Sequence, residues 1–343
     1  MPPILPDDLQ LLPKVDLHRH LEGCLRLPTI IDLAARANAE LPGWTPEDLA
    51  PHAQVLEPLS SLEEALGRFG IAQRSFRDYE AVRRITLEAV EDLDADNVRL
   101  AELRYSPDFL CSPAGLDWDG AFEAILQGVD DARGLDVAVG LIAIASRDLG
   151  GSSARRTVEW AVRHAGDLVG FDIAGPELGY PPALYSNLVR PIHEAGLGLT
   201  THYGESGPAE YPLAAMEALR TSRLGHGVSV AHDANVEAIA IERGVALEMC
   251  PTSNVRTRAV PRVEEHPARR LLRQGAKVTI NTDNPGLFGI RLTHELELAR
   301  DRIGFDYEDL RRATGNALEA SFLPEQVKDG VRARHFGWVG SQP

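Results

Sequence analysis

Residues 14–23 read Lys14-Val15-Asp16-Leu17-His18-Arg19-His20-Leu21-Glu22-Gly23, a strand-like stretch that carries two histidines separated by one residue. In an extended strand successive side chains point to opposite faces, so His18 and His20 share a face and can reach one metal ion. Two ordinary histidines would give the same spacing, so the pair gains weight only from the rest of the chain. Seven further apolar runs have the length and composition of buried strands. The predicted strands are Val15 to His18, Val98 to Tyr105, Val137 to Ala145, Leu168 to Ala174, Leu197 to Tyr203, Ser222 to His226, Ala246 to Cys250 and Lys277 to Thr282. Segments with apolar residues at helical spacing lie between them: Ala121 to Ala132, Thr157 to His164, Ala214 to Arg220 and Asn235 to Arg243. Eight strand and helix units in alternation predict an α/β fold of the TIM (β/α)8 barrel type. The long interval after strand one and the C-terminal stretch supply extra helices, and residues 1–343 form a single domain.

Barrel enzymes build their sites at the C-terminal ends of the strands and in the adjoining loops. Polar residues collect there in this chain: His18 and His20 after strand one, Asp172 and Gly175 on strand four, His202 and Glu205 after strand five, His226 after strand six and Asp283 after strand eight. Each has an ordinary explanation taken singly. His202 and His226 could be satisfied core histidines, and Asp283 could be a helix N-cap. Four histidines and three acids at one rim are better explained as a cluster of metal ligands and proton carriers. Three imidazoles and a carboxylate suit a borderline ion such as zinc. Residues 168–175 contain no lysine, the residue that commonly bridges two metals in related barrels, so one metal per chain is expected. Glu205, three residues beyond His202, is the candidate general acid.

Composition narrows the class. The chain has 343 residues, 44% hydrophobic and 25% charged, enough apolar material for a large core. A formal net charge of -16 argues against a nucleic-acid partner. The longest strongly apolar run, Val137 to Ala145, is far too short to span a bilayer, so no membrane association is expected. Cys24, Cys111 and Cys250 are odd in number and far apart, which suits a reducing compartment, and Met1 to Asp8 lacks the pattern of a secretory signal. A cytoplasmic protein is expected.

Seven motifs in fixed order give the chain a family likeness. They are Lys14 to Gly23, Ala101-Glu-Leu-Arg-Tyr-Ser-Pro107, Gly170-Phe-Asp-Ile-Ala-Gly175, His202-Tyr-Gly-Glu205, Arg223-Leu-Gly-His-Gly227, Cys250-Pro-Thr-Ser-Asn254 and Asn281-Thr-Asp283. With them the chain resembles the adenosine deaminases, and more closely their bacterial branch. The resemblance implies that His18, His20, His202 and Asp283 hold zinc, with His20 and Asp283 also beside the reacting purine. It implies that Glu205 protonates purine N1 while water adds at C6, that His226 orients or deprotonates that water, and that Gly175 offers its amide to N3.

Three departures bear on the substrate. Asn284 stands where the family usually has a second aspartate facing purine N7; an asparagine amide donates to N7 at any pH. Pro176 removes an amide donor after Gly175. Glu22 replaces a common aspartate beside the ribose 5'-hydroxyl. Adenosine, 2'-deoxyadenosine or a close 6-aminopurine nucleoside is the expected substrate. Gly175 to Glu177 also resembles deaminases of 6-amino-6-deoxyfutalosine, and Glu22 resembles adenine deaminases. A zinc-retaining binding protein without turnover is a further alternative, as is a two-metal hydrolase of esters, lactones or phosphotriesters. Ser60 to Phe69 resembles the hydrophobic lid of the family and equally suits a core-facing helix.

Overall fold

A computed structural model describes residues 8–59 and 62–339. Eight parallel strands form one sheet in sequential order: β1 (Lys14–His20), β2 (Val98–Tyr105), β3 (Ala138–Ser146), β4 (Gly170–Ala174), β5 (Gly198–His202), β6 (Arg223–Gly225), β7 (Ala246–Met249) and β8 (Lys277–Ile280). Each coincides with a predicted strand, shifted by a few residues at most. The expected extra helices are present. Leu27–Arg36, Pro46–Ala53, Leu62–Gln73 and Tyr79–Ala95 separate β1 from β2, and Tyr307–Ala320 and Glu325–His335 come after β8. One expectation is corrected: the run Ala214 to Arg220 is not a regular α-helix, because Ala215–Leu219 is wound as a π-helix, which ends at a left-handed Arg220.

The barrel closes where β8 meets β1, and there the rim residues make the seam. Arg19 and Asp283 form a parallel bridge; the His20 amide donates to Asp283 O at 2.8 Å and the Asp283 amide to His18 O at 2.8 Å. Side chains complete it. The Leu17 amide donates to Asn281 Oδ1 at 3.0 Å, and Thr282 Oγ1 donates to Asp16 Oδ2 at 2.6 Å. On its other edge β1 slips register against β2 between Asp16 and Arg19, a bulge of the kind that re-aims side chains beside active sites.

Alternation along the strands explains what fills the barrel. Leu103, Phe171, Leu199, Leu224 and Leu247 point outward into the main hydrophobic core that the helices cover. Their strand neighbours Arg104, Asp172, Thr200, Arg223 and Glu248 point inward and are fully buried. A buried charge is tolerable only when paired. Arg104 lies 2.8 Å from both Asp172 Oδ2 and Glu248 Oε2, and it donates to Leu17 O at 2.6 Å. Arg223 lies 2.7 Å from Glu248 Oε1 and 2.6 Å from Glu102 Oε2. Glu102 in turn accepts from Ser321 Oγ at 2.8 Å, tying the C-terminal turn to the barrel floor.

Arg104→Met would leave Asp172 and Glu248 buried without their shared cation. The expected loss is about 3–5 kcal/mol of unfolding free energy, read from urea denaturation. A loss under about 1 kcal/mol would show that the carboxylates do not depend on Arg104.

Candidate active site

The candidate ligands sit at or near strand ends, with His18 two residues before the end of β1. His20 closes β1, His202 closes β5, His226 comes directly after β6, and Asp283 lies just past β8. Among the described residues, two groups bring potential ligand atoms within 4.8 Å of one another: His18, His20 and His202, and His18, His226 and Asp283. His20 Nε2 is 3.3 Å from His18 Nε2, 3.2 Å from His202 Nε2 and 3.3 Å from Asp283 Oδ1; His18 Nε2 is 3.5 Å from the same oxygen. Donor atoms about 2.1 Å from a zinc ion stand about 3.4 Å apart at tetrahedral angles, so the donor set fits zinc.

The imidazoles are aimed from behind. His18 Nδ1 faces Glu248 Oε2 at 2.8 Å and His202 Nδ1 faces Asp172 Oδ1 at 3.1 Å, which leaves both Nε2 atoms to the cluster. Asp172 therefore lies beneath the cluster as a partner of His202 and Arg104, a correction to its reading as a rim ligand or proton carrier. Burial alone would raise its pKa, but His202 and Arg104 outweigh burial and hold the carboxyl well below the usual range. Burial pushes His20 well below the ordinary histidine value. Gly225 makes room for two of the rings: a Cβ there would stand 3.1 Å from atoms of both His18 and His202.

His226 and Asp283 carry positive φ values, both 61°, which non-glycine residues rarely adopt. Such residues persist where surrounding structure over-determines them, and they cluster at active sites. His226 is held by its amide, which donates to Glu248 O at 3.0 Å, and by Asn254 at Nδ1, 3.0 Å away. Burial pushes its ring down to about 4. Glu205 Oε2 lies 3.7 Å from His226 Nε2, and a quarter of the Glu205 side chain remains exposed.

Glu205 rides on a loop gripped by one carboxylate. Glu177 accepts the amides of Gly204 at 2.7 Å, Glu205 at 3.1 Å, Ser206 at 2.9 Å and Gly207 at 2.8 Å. Arg147, also buried, donates to Gly175 O at 2.6 Å and to His202 O, linking the Gly175 turn to β5. Gly175 has φ +89, and a Cβ there would come within 2.9 Å of Ser146 and Asp148 side-chain oxygens. Its turn with Pro176 is exposed.

Two specificity residues make contacts within the chain itself. The amide of Asn284 does not stand free for a purine: Nδ2 donates to Asp283 Oδ1 at 2.6 Å, and Oδ1 is buried without a partner. One Nδ2 hydrogen remains for a ligand. Glu22 is buried and accepts the Ser106 amide at 2.7 Å through Oε1. Burial pushes this carboxyl up to about 7. Of the lid segment, Ser60, Ser61 and the side chains of Leu62 and Leu66 lie outside the described residues. Phe69 packs beside Val55, Leu287 and Phe288. An open cavity of about 920 Å³, lined among others by Arg19, Arg26, Asp96 and Arg291, includes none of the four candidate ligand residues.

Glu177→Gln puts an amide NH2 against backbone donors while keeping the shape. Metal content is expected to be unchanged and turnover to fall by about ten- to a hundredfold as Glu205 loses its position. Equal turnover would show that the loop holds itself. For Glu22, the folded carboxyl keeps its proton up to about pH 7, whereas the unfolded one releases it near 4.5, so the folded chain binds more protons in that window. Stability therefore falls as pH rises through it. Glu22→Gln is expected to remove that dependence, a relative gain of about 3 kcal/mol by pH 8 in paired denaturation curves.

Comparison with known proteins shows the family. Residues 13–335 match the adenosine deaminase family model. An adenosine deaminase of Shewanella loihica is 35% identical over 323 residues, covering 94% of this chain and 98% of that protein. The crystal structure of an adenine deaminase from Arthrobacter aurescens superposes with a TM-score of 0.88 at 27% identity, covering 96% of this chain and all of the other. An amidohydrolase from Burkhoderia ambifaria with bound zinc superposes with a TM-score of 0.85 at 27% identity, over 96% of this chain and 91% of its own. This chain belongs to the adenosine deaminase family.

Proposed function

We propose that the chain hydrolytically deaminates adenosine, 2'-deoxyadenosine or a close 6-aminopurine nucleoside, giving the 6-oxo purine and ammonia. The observation that carries this reading is the convergence of His18, His20, His202 and Asp283 beside Glu205 and His226, at one rim of a barrel of this family. The four residues would hold one zinc ion per chain, which when bound supplies the Lewis acidity that lets a water release a proton near neutral pH.

The chain's own groups then handle position and protons. Water adds across C6 and N1 of the purine, its oxygen to C6 and a proton to N1, and Glu205 holds that proton at N1. The C6–N bond breaks, the amino group leaves as ammonia with a second proton, and N1 keeps its hydrogen in the 6-oxo product. His226, 3.7 Å from Glu205, stands where it can orient the attacking water. Gly175 offers its amide to N3 on a turn that Arg147 holds. Asn284 and His20 border the purine, and Glu22 lies toward the 5' side. We place the enzyme in the cytoplasm, as one domain over its whole length. Among the described residues no helix is long and apolar enough to cross a membrane.

A second reading, free adenine as substrate, draws on Glu22 and on the activity named for the Arthrobacter neighbour. Loss of adenine absorbance measured against adenosine, 2'-deoxyadenosine, adenine and 6-amino-6-deoxyfutalosine separates the readings. Preference for the two nucleosides is expected. Preference for the base or the 5'-extended compound would replace the proposed substrate, and zinc binding without ammonia from any of them would make the chain a binding protein. Glu205→Gln is expected to retain zinc and lose about a thousandfold in turnover; near-normal turnover would remove Glu205 from its role.

A further inference from the structure

The four clustered histidines differ in what stands behind them, and the difference fixes their protons. Carboxylates stand behind His18 and His202. A carboxylate only accepts, so each of these rings carries its proton on Nδ1 and presents a bare Nε2 to the cluster. Behind His226 stands an asparagine amide, and its orientation is set by groups that can only donate. The Cys250 amide donates to Asn254 Oδ1 at 3.3 Å. The Ala268 amide donates to His266 Nδ1 at 3.2 Å, so His266 carries its proton on Nε2 and donates to Asn254 Oδ1 at 3.1 Å. Both donors hold the oxygen of Asn254 away from His226 and turn Nδ2 toward it at 3.0 Å. Asn254, His226 and His266 are all buried, with no water-exposed side to relax into.

We infer that Asn254, held by the Cys250 amide and His266, is a positioning residue that keeps His226 in the form protonated on Nε2, so that His226 faces the site as a hydrogen-bond donor. An Nε2 that carries hydrogen cannot ligate a metal. Of the two possible ligand groups, the relay therefore selects the one containing His20 and His202 over the one containing His226. A donor at this position steadies the oxygen adding to the substrate and does not remove its proton. This functional half rests on the proposed deamination; the proton assignment does not.

The test is the protonation pattern of the His226 ring in the full-length chain, labelled with nitrogen-15 at histidine, near pH 7. Spectra are recorded metal-free and with one equivalent of zinc, with His226→Gln used to assign the resonance. A proton on Nε2 and a bare Nδ1 are expected in both spectra; a proton on Nδ1, or on both nitrogens, overturns the inference. Asn254→Asp replaces the donor by an acceptor. It is expected to move the His226 proton to Nδ1 and lower kcat about a hundredfold with KM little changed, the scale seen when one preorganised donor is lost. An unchanged ring and unchanged kcat would overturn the positioning role, and should that variant fail to fold, the wild-type spectrum still decides the assignment. If the wild type releases no ammonia from any nucleoside, the deamination reading fails while the proton assignment stands on its spectrum.

Discussion

Two arginines buried inside the barrel, Arg104 and Arg223, hold three carboxylates that hydrogen-bond the floor below and the histidines above. Most barrels of this type fill the interior with layers of branched apolar side chains. Here much of that space carries charge, and the arrangement is tolerable because each ion has a partner at hydrogen-bonding distance. The chain of contacts runs from Ser321 through Glu102, Arg223 and Glu248 to His18. Glu248 belongs to both halves, with one oxygen on Arg223 and the other shared by Arg104 and His18. Burial would raise its pKa, but the two arginines and His18 hold it ionised, which in turn keeps His18 oriented.

A comparable economy holds the rim. One carboxylate, Glu177, orders the four-residue turn that presents Glu205, and one guanidinium, Arg147, joins the Gly175 turn to the end of β5. Loops that carry reactive groups are ordinarily the mobile part of a fold. Fixing them with single multidentate side chains limits the entropy lost when a small substrate is bound.

The fold is legible in the sequence because strands buried on both faces read as near-continuous apolar runs, and all eight stand out. The rim cluster is legible because histidines and acids recur at the ends of those runs. The supporting layer is harder to see, although Ala101-Glu102-Leu103-Arg104-Tyr105 and Leu247-Glu248-Met249 place charges in the middle of buried strands. A charge there must be paired, so the signal is present, but it reads first as family likeness. Glu177 reads only as part of a specificity motif, since nothing in Gly175-Pro176-Glu177 says that its carboxyl collects amides from a loop thirty residues on. Analogy places Asn284 toward a purine; only geometry shows its amide on the adjacent aspartate. The positive φ of His226 and Asp283 likewise has no sequence signature, because neither is glycine.

The seam between β8 and β1 has a consequence for how the molecule comes into being. His18, His20 and Asp283 make that seam with their backbones and the candidate metal site with their side chains. During synthesis the N-terminal strand emerges early and must wait until nearly the whole chain has been made before its partner arrives. A barrel made as far as β5 holds three of the four donors, and the set is complete only with Asp283 after β8. The candidate site is thus complete only when the last strand is in place, so the nascent chain assembles it within a finished enclosure.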